Sequence, residues 1–370
     1  MKRRLNVGLI GHMFMGKIHS YALKNLETLY DLNVVPVMKT ICGIEDDVAE
    51  FAKQFGWESY EHSWEKVVND PEIDIINISS PGFTHVEIAL AAAERGKHIF
   101  CEKPLANTLS EAEQMLAAVN KNGVKHMVDF NCRRIPAVNL AKKLVDEGSL
   151  GRIYHFNAIY QQDWPISEDF PYVWRFDKKL AGAGSMADKG SHIIDLARFL
   201  IGEFDEVACT TEIFLKERKD GDSFKEVTTD DAAVFISRFK NGVLGLFETS
   251  RMSAGHRNNL QFEINGSRGS VKFDIMRLNE LEVYFANERD DAQGFRTVLT
   301  TQPSHKYAEF YWPTGHILGW ERQFCNQHYE FFKAIENDTK ASPGFDDGVE
   351  AQRVIEAAEI ASAEKRWVKI

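Results

Sequence analysis

Largely apolar runs alternate with stretches of helical periodicity over residues 5–130, and this alternation limits the fold more than any other feature of the 370-residue chain. Runs at 5–10, 37–44, 73–79, 98–102 and 125–130 lack the polar alternation of a one-sided sheet. They read as strands covered on both faces, which means a parallel sheet. Helices are predicted between them at 16–30, 46–55 and 84–95, the last stopped by Gly96, with another running to residue 120. For that helix Ser110 and Glu113 predict a capping box. This part of the chain reads as a doubly wound α/β domain.

The pattern changes after residue 131. Helices are predicted at 137–147, ending at Gly148, and at 185–201, ending at Gly202. Strands then follow one another at 152–161, 205–216, 232–239, 243–249, 260–265, 270–274 and 281–285, with Asn241-Gly242 and Asn265-Gly266 as hairpin turns. A final amphipathic helix covers 348–364. The expectation is an α/β protein with one domain at 1–131 and an α+β domain at 132–370 that carries a large, mainly antiparallel, open sheet. About two domains also suits the length.

Charge and cysteine usage exclude several function classes. Lys and Arg number 44 against 55 Asp and Glu, a net charge of −11 without a basic run. Nucleic acid and anionic membrane surfaces are therefore not expected partners. The apolar run after Met1-Lys2-Arg3-Arg4 is too short for a leader or a membrane span. Five widely spaced cysteines without a C-x-x-C pair exclude a disulfide scaffold and a zinc ribbon. They suit a reducing cytoplasm.

Four stretches carry chemistry. Gly11-His12-Met13-Phe14-Met15-Gly16 occupies the first strand–helix turn, where glycines let a dinucleotide's pyrophosphate approach the helix N-terminus. Met13 replaces the middle glycine of that fingerprint, and a plain tight turn is the alternative. After the second strand, Glu45 is the nearest acid for a ribose and no Arg stands by for an extra phosphate, which leans towards NAD over NADP. Lys103, before Pro104 at a strand's carboxyl edge, is either a fixed cation in the crevice or an ordinary surface lysine. Asp188, His192 and Asp195 are spaced to share one helical face. They read as a cap with salt bridges, as a metal site lacking further ligands, or as a catalytic acid–imidazole pair.

At these residues the sequence resembles the glucose–fructose oxidoreductase and inositol dehydrogenase (Gfo/Idh/MocA) family, and it is most similar to the sugar- and anhydrosugar-dehydrogenase branch. The glycine loop Gly11–Gly16, Ser80-Pro81 with His85, Glu102-Lys103-Pro104 and Asp188…His192 occur in the family's order, and the likeness covers essentially the whole chain. It implies an N-terminal Rossmann domain that binds NAD, with NADP left open because Cys42 stands where relatives often have the ribose-binding acid. It implies Lys103, Asp188 and His192 as catalytic residues. Gly11, His12, Met13, Phe14, Met15, Gly16, Glu45, Ser80, Pro81, His85, Glu102, Lys103, Asn131, Trp174 and Arg175 fall on the cofactor side. Lys103, Cys132, Gln162, Trp164, Asp188, His192 and His316 fall on the substrate side, Cys132 replacing a tyrosine of some relatives.

The activity so implied is oxidation of a secondary hydroxyl of a sugar, anhydrosugar, glycoside (at C3) or polyol by hydride transfer to the nicotinamide, without a metal. His192 removes the proton and Lys103 steadies the alkoxide. Two alternatives stand beside it. One is a glycoside 3-oxidoreductase that keeps and recycles its NAD and feeds a glycoside-cleaving partner. The other is a dinucleotide-binding sensor without turnover. The open sheet predicts a homodimer or homotetramer, with a small sugar as the other partner.

Overall fold

In the computed structural model, which describes residues 2–370, the first apolar runs become one parallel sheet. The chain runs through β1 (Arg3–Ile10), α1 (Phe14–Leu29), β2 (Val34–Cys42), α2 (Val48–Phe55), β3 (Ser59–Glu61) and α3 (Trp64–Asn69). It continues through β4 (Ile75–Ile78), α4 (His85–Glu94), β5 (His98–Cys101), α5 (Leu109–Asn122) and β6 (His126–Val128). The strand order is β3-β2-β1-β4-β5-β6, with every neighbouring pair parallel. Val7, Leu9, Ile76, Ile78 and Ile99 are fully buried, as strands covered on both faces must be. The order reverses between β1 and β4, so the crevice for a ligand opens at the carboxyl ends of those two strands.

The capping box of α5 lies two residues earlier than the sequence pattern proposed. Thr108 accepts the Glu111 N–H and Glu111 reaches back to the Thr108 N–H. Thr108…Glu111 and Ser110…Glu113 both fit the motif. The earlier one is used, and Glu111 also accepts the N–H of Asn107, satisfying a further donor ahead of the helix.

The remaining elements are α6 (Pro136–Asp146), β7 (Ile153–Gln161), α7 (Lys178–Ala181), a π-helical turn (Met186–Gly190), α8 (Ser191–Leu200), β8 (Phe204–Glu212), β9 (Glu217–Asp220) and β10 (Ser223–Glu226). After these come β11 (Ala232–Phe239), β12 (Leu244–Ser250), β13 (Asn259–Gly266), β14 (Gly269–Asp274), β15 (Glu280–Phe285), β16 (Arg296–Leu299), α9 (Arg322–Glu336), α10 (Phe345–Glu364) and β17 (Val368–Lys369). Nine strands form a mixed sheet in the order β16-β15-β14-β13-β7-β12-β11-β8-β17. The pair β12–β7 is parallel and the other neighbours are antiparallel. The strand predicted at 205–216 is shorter, because Asp231 accepts the N–H groups of Phe214 and Leu215 and draws the chain out of the ladder. One sheet face carries a phenylalanine layer, with Phe235 stacked on Phe247 at 4.4 Å. On the other face Ile236, opposite Leu246, is 44% exposed and Leu246 49%.

The chain forms two compact units, one containing residues up to Asn131 together with Trp320–Gln352, the other Cys132–Gly319 with Arg353–Ile370. The expectation of a single boundary after residue 131 did not foresee this return. The cause lies in α9. Tyr329 stacks on Tyr30 at 4.5 Å, the Tyr30 hydroxyl donates to Asn326, and His328 stacks on Phe100 at 4.2 Å. Those aromatic partners sit on the first unit, so the helix does too.

Candidate active site

Within the first unit, the glycine loop is shaped by two contacts that no side chain tolerates. Gly11 has φ +100°, and a Cβ there would lie 2.7 Å from the backbone of Ser79 and Ser80. A Cβ on Gly16 would lie 2.1 Å from the Gly11 carbonyl oxygen. The turn is tied to its neighbours by Gly11 N–H donating to Cys42 O and by Ser79 Oγ donating to Gly11 O. Met13 and Phe14 are exposed at the start of α1. Met13 is its N-cap and its side chain makes no cap. A loop without room for Cβ that leads into such a helix start fits a dinucleotide pyrophosphate.

Around the loop, the residues divide into those that face outward and those that brace it. His12 is buried, its Nε2 2.7 Å from Asp47 Oδ1 and its Nδ1 3.4 Å from Glu45 Oε2. Asp47 was not singled out from sequence, although it follows directly on Glu45-Asp46. Burial pushes the Cys42 thiol up to about 12, so it stays neutral at the end of β2. The Ser80 hydroxyl lies 2.6 Å from that of Thr84, and Pro81 precedes a short 3₁₀ turn.

Two residues expected on the cofactor side turn inward instead. His85 is 1% exposed, with Nε2 3.0 Å from Ser80 O and Nδ1 3.2 Å from both Pro104 O and Leu105 O. Burial lowers its pKa. It clamps the Ser80 loop to the Lys103-Pro104 turn rather than presenting a ring nitrogen outside. Glu102 is likewise buried, its carboxylate accepting from His19 and from the Lys103 N–H. The Lys103–Pro104 peptide is cis. Asn131 is buried at the start of a 3₁₀ turn.

In the second unit the Asp188…His192 stretch is not one continuous α-helix. Residues 186–190 form a π-helical turn ahead of α8, a local widening often found at functional sites. Asp230 fixes its entry by accepting the N–H groups of Gly184 and Met186. Gly184 has no room for a Cβ, which would lie 1.9 Å from Asp230 O. Asp188 Oδ2 accepts from the buried Lys189 ammonium at 2.9 Å. His192 Nδ1 is 3.8 Å from Cys132 Sγ, and the ring stands edge-on to Tyr160 at 5.6 Å.

Asp195, placed by spacing on the same face, forms a buried bidentate pair with Arg133. That pair holds α8 to the 3₁₀ turn before α6 and explains Asp195 structurally. Burial raises the Tyr160 pKa well above its ordinary value, keeping the phenol neutral. Its hydroxyl donates to Asn258 Oδ1, as does Gln162 Nε2. Trp164 packs edge-on to Phe170 at 5.1 Å. His316 lies in an exposed loop with Nδ1 2.7 Å from Pro313 O. Trp174 and Arg175 stack at 4.4 Å on a turn anchored through Phe176, whose ring lies 4.6 Å from both the Arg218 and Arg251 guanidiniums.

Lys189, Asp230, Asn258, Arg218 and Arg251 all support this half and carry no motif. Among the described residues, His19, Glu102 and Asp129 are the one group whose metal-ligand-type atoms all lie within 4.8 Å of one another. No helix among the described residues is long and apolar enough to cross a membrane.

Comparison with known proteins bears on this arrangement. Residues 5–130 match the model of the oxidoreductase family with an NAD-binding Rossmann fold, and residues 138–272 match the GFO/IDH/MocA C-terminal domain. The chain is 40% identical to levoglucosan dehydrogenase of Pseudarthrobacter phenanthrenivorans, over all of this chain and 98% of that protein. It is 27% identical to myo-inositol 2-dehydrogenase of Thermotoga maritima, over 99% of this chain and 98% of that one. A crystal structure of an oxidoreductase domain protein from Kribbella flavida superposes with a TM-score of 0.96 at 41% identity, covering 100% of both chains. Levoglucosan dehydrogenase in complex with NADH gives 0.97 at 41% identity, covering 100% of this chain and 99% of that one. The chain belongs to the GFO/IDH/MocA family of NAD-binding oxidoreductases, among its sugar and polyol dehydrogenases.

Proposed function

We propose that the protein oxidises one secondary hydroxyl of a pyranose-type sugar, with an anhydrosugar such as levoglucosan as the leading substrate. The observation that carries this reading is the 40% identity to a levoglucosan dehydrogenase over the full chain. Myo-inositol and glycosides oxidised at C3 are the neighbouring candidates. NAD, when bound, supplies the hydride acceptor. Glu45 and Asp47 beside His12 support NAD over NADP, since carboxylates near the end of β2 suit free ribose hydroxyls and repel a phosphate.

In this reading His192 takes the hydroxyl proton. Asp188, held by Lys189, sets the charge beside it. The Lys103 ammonium steadies the negative charge that develops on oxygen. Gln162, fixed through Asn258, and the Trp164 ring supply a polar edge and an apolar face for the sugar. The five free cysteines support a reducing compartment such as the cytoplasm. The exposed face around Ile236 and Leu246 supports a homodimer or homotetramer.

The test is a panel of levoglucosan, glucose, myo-inositol and glucosides with NAD or NADP, read by absorbance and by product analysis. Levoglucosan with NAD is expected to give reduced cofactor and a keto-sugar. His192→Ala and Lys103→Ala are each expected to lose at least about 10²-fold in kcat while still binding NADH. No reduced cofactor with any sugar, or near wild-type rates in either variant, would overturn the assignment.

A further inference from the structure

A buried hydrogen-bonded line runs through the first unit to the backbone of Lys103. Glu102, 5% exposed, accepts the Lys103 N–H with Oε2 and the His19 Nε2–H with Oε1, both at 3.0 Å. His19 Nδ1 lies 3.0 Å from Nε2 of His328, and both rings are buried. The line therefore begins on α9, crosses α1 in the turn after Gly16, and ends beside the proposed substrate-facing lysine.

A buried carboxylate is costly unless its charge is matched. Burial works to raise the Glu102 pKa, but the hydrogen bond and charge of His19, with the charge of Lys103, override it and hold the carboxyl below its ordinary value. Burial and the charge of His19 push the pKa of His328 well below its ordinary value, so that ring is neutral. Apolar side chains would fill this space at less electrostatic cost. The polar line makes sense where it fixes something, and what it fixes is the residue next in sequence.

We propose that Glu102 and His19 are positioning residues for Lys103, linking its place at the tip of β5 to the helix that leaves the glycine loop. This rests on the reading of Lys103 as the group that meets the substrate hydroxyl. Occupancy of the glycine loop and the setting of Lys103 are then coupled through His19. A metal is the competing occupant, because Asp129 Oδ2 lies 3.9 Å from His19 Nε2. His19 Nε2 and Glu102 Oε1 meet at hydrogen-bond distance, 3.0 Å, and metal analysis of the protein separates the two occupants.

Turnover is measured with NAD and levoglucosan, glucose or myo-inositol, whichever the wild-type protein oxidises fastest. Amide exchange of the peptide 101–105 is followed in parallel. His19→Leu and Glu102→Gln are expected to lower kcat about 10- to 100-fold and to speed that exchange. His19→Gln, which keeps a donor towards Glu102, recovers most of the loss. Saturating NADH slows the exchange in the wild-type protein and not in His19→Leu.

In a Lys103→Ala background, His19→Leu costs little more, whereas a merely structural role would add in full. Wild-type exchange and turnover in Glu102→Gln and His19→Leu would overturn the proposal, as would full additivity with Lys103→Ala. A stoichiometric metal whose removal mimics His19→Leu would overturn it in favour of a ligand set. If His19→Leu does not fold, Glu102→Gln and His19→Gln carry the same comparison. Normal turnover in Lys103→Ala with the expected exchange behaviour would remove the catalytic role of Lys103 and leave the positioning intact.

Discussion

A single added methyl group is the sharpest probe of the nucleotide loop. Gly16→Ala would place a Cβ 2.1 Å from the Gly11 carbonyl oxygen, and that oxygen belongs to backbone that cannot swing aside. The loop must shift to accept it, at a cost of about 1–3 kcal/mol. Fluorescence titration is expected to show NADH Kd raised at least about tenfold, with a melting temperature a few degrees lower. Unchanged affinity would mean that the loop does not hold the pyrophosphate.

The tight glycine loop was legible in the sequence because a strand–helix turn is a local signal. Lys103 and Asp188…His192 were singled out by equally local signals, an X-Pro and a one-turn spacing, and their catalytic roles belong to the proposal. His19 and His328 were not legible, since their meeting joins residues 309 apart. Lys189 and Asp230 were equally silent. A lysine next to an acid looks like solvent-facing charge until its burial is known. Glu102 and His85 were legible as important but not as inward-facing, because sequence order does not say towards which side of a strand end a side chain turns.

At the scale of elements, β6 and α10 are joined by a histidine that must stay neutral. His126 Nδ1 accepts the Phe345 N–H, fixing the start of α10. Burial lowers its pKa to about 4, against the opposing charges of Asp346 and Asp347 and with smaller help from Lys340 and Lys125. The unfolded chain takes up this proton as pH falls below about 6.5, while the folded chain resists until about 4. Stability from this group is therefore complete above about pH 6.5 and is lost progressively towards pH 4, by on the order of 3 kcal/mol. Urea unfolding at pH 7 and pH 5 is expected to show the loss. His126→Asn, which keeps an acceptor, should flatten it, and an equal acid slope in both proteins would contradict the account.

Elements themselves were read well wherever apolar period and length agreed, as in β1, β2, β4, β5 and β6 and in β11 to β15; β3, three residues without a buried side chain, was not predicted. The π-helical turn at 186–190 was not, because no residue pattern distinguishes it from the α-helix that follows. No element was predicted over α9, whose polar residues dilute the pattern that Phe324, Phe331 and Phe332 would otherwise show.

For the molecule as a whole, the mixed sheet poses the question of what covers its second face. Ile236 and Leu246 face each other across β11 and β12, half exposed, with Val234 and Leu244 exposed beside them. Apolar side chains exposed side by side support the expectation of an association surface. Light scattering is expected to give the mass of a dimer or tetramer, and Ile236→Lys with Leu246→Lys to reduce it. A monomeric wild-type mass would sink the expectation.

The return of Trp320–Gln352 to the first unit has a consequence for how the chain comes into being. A ribosome releases α1 and β5 early, yet the helix that seals Phe100 and supplies His328 emerges only after almost the whole second unit has been made. The dinucleotide-binding half is thus completed only after residues 132–319 have been made. The aromatic surface around Phe100 therefore stays unsealed until residues 322–336 have been made.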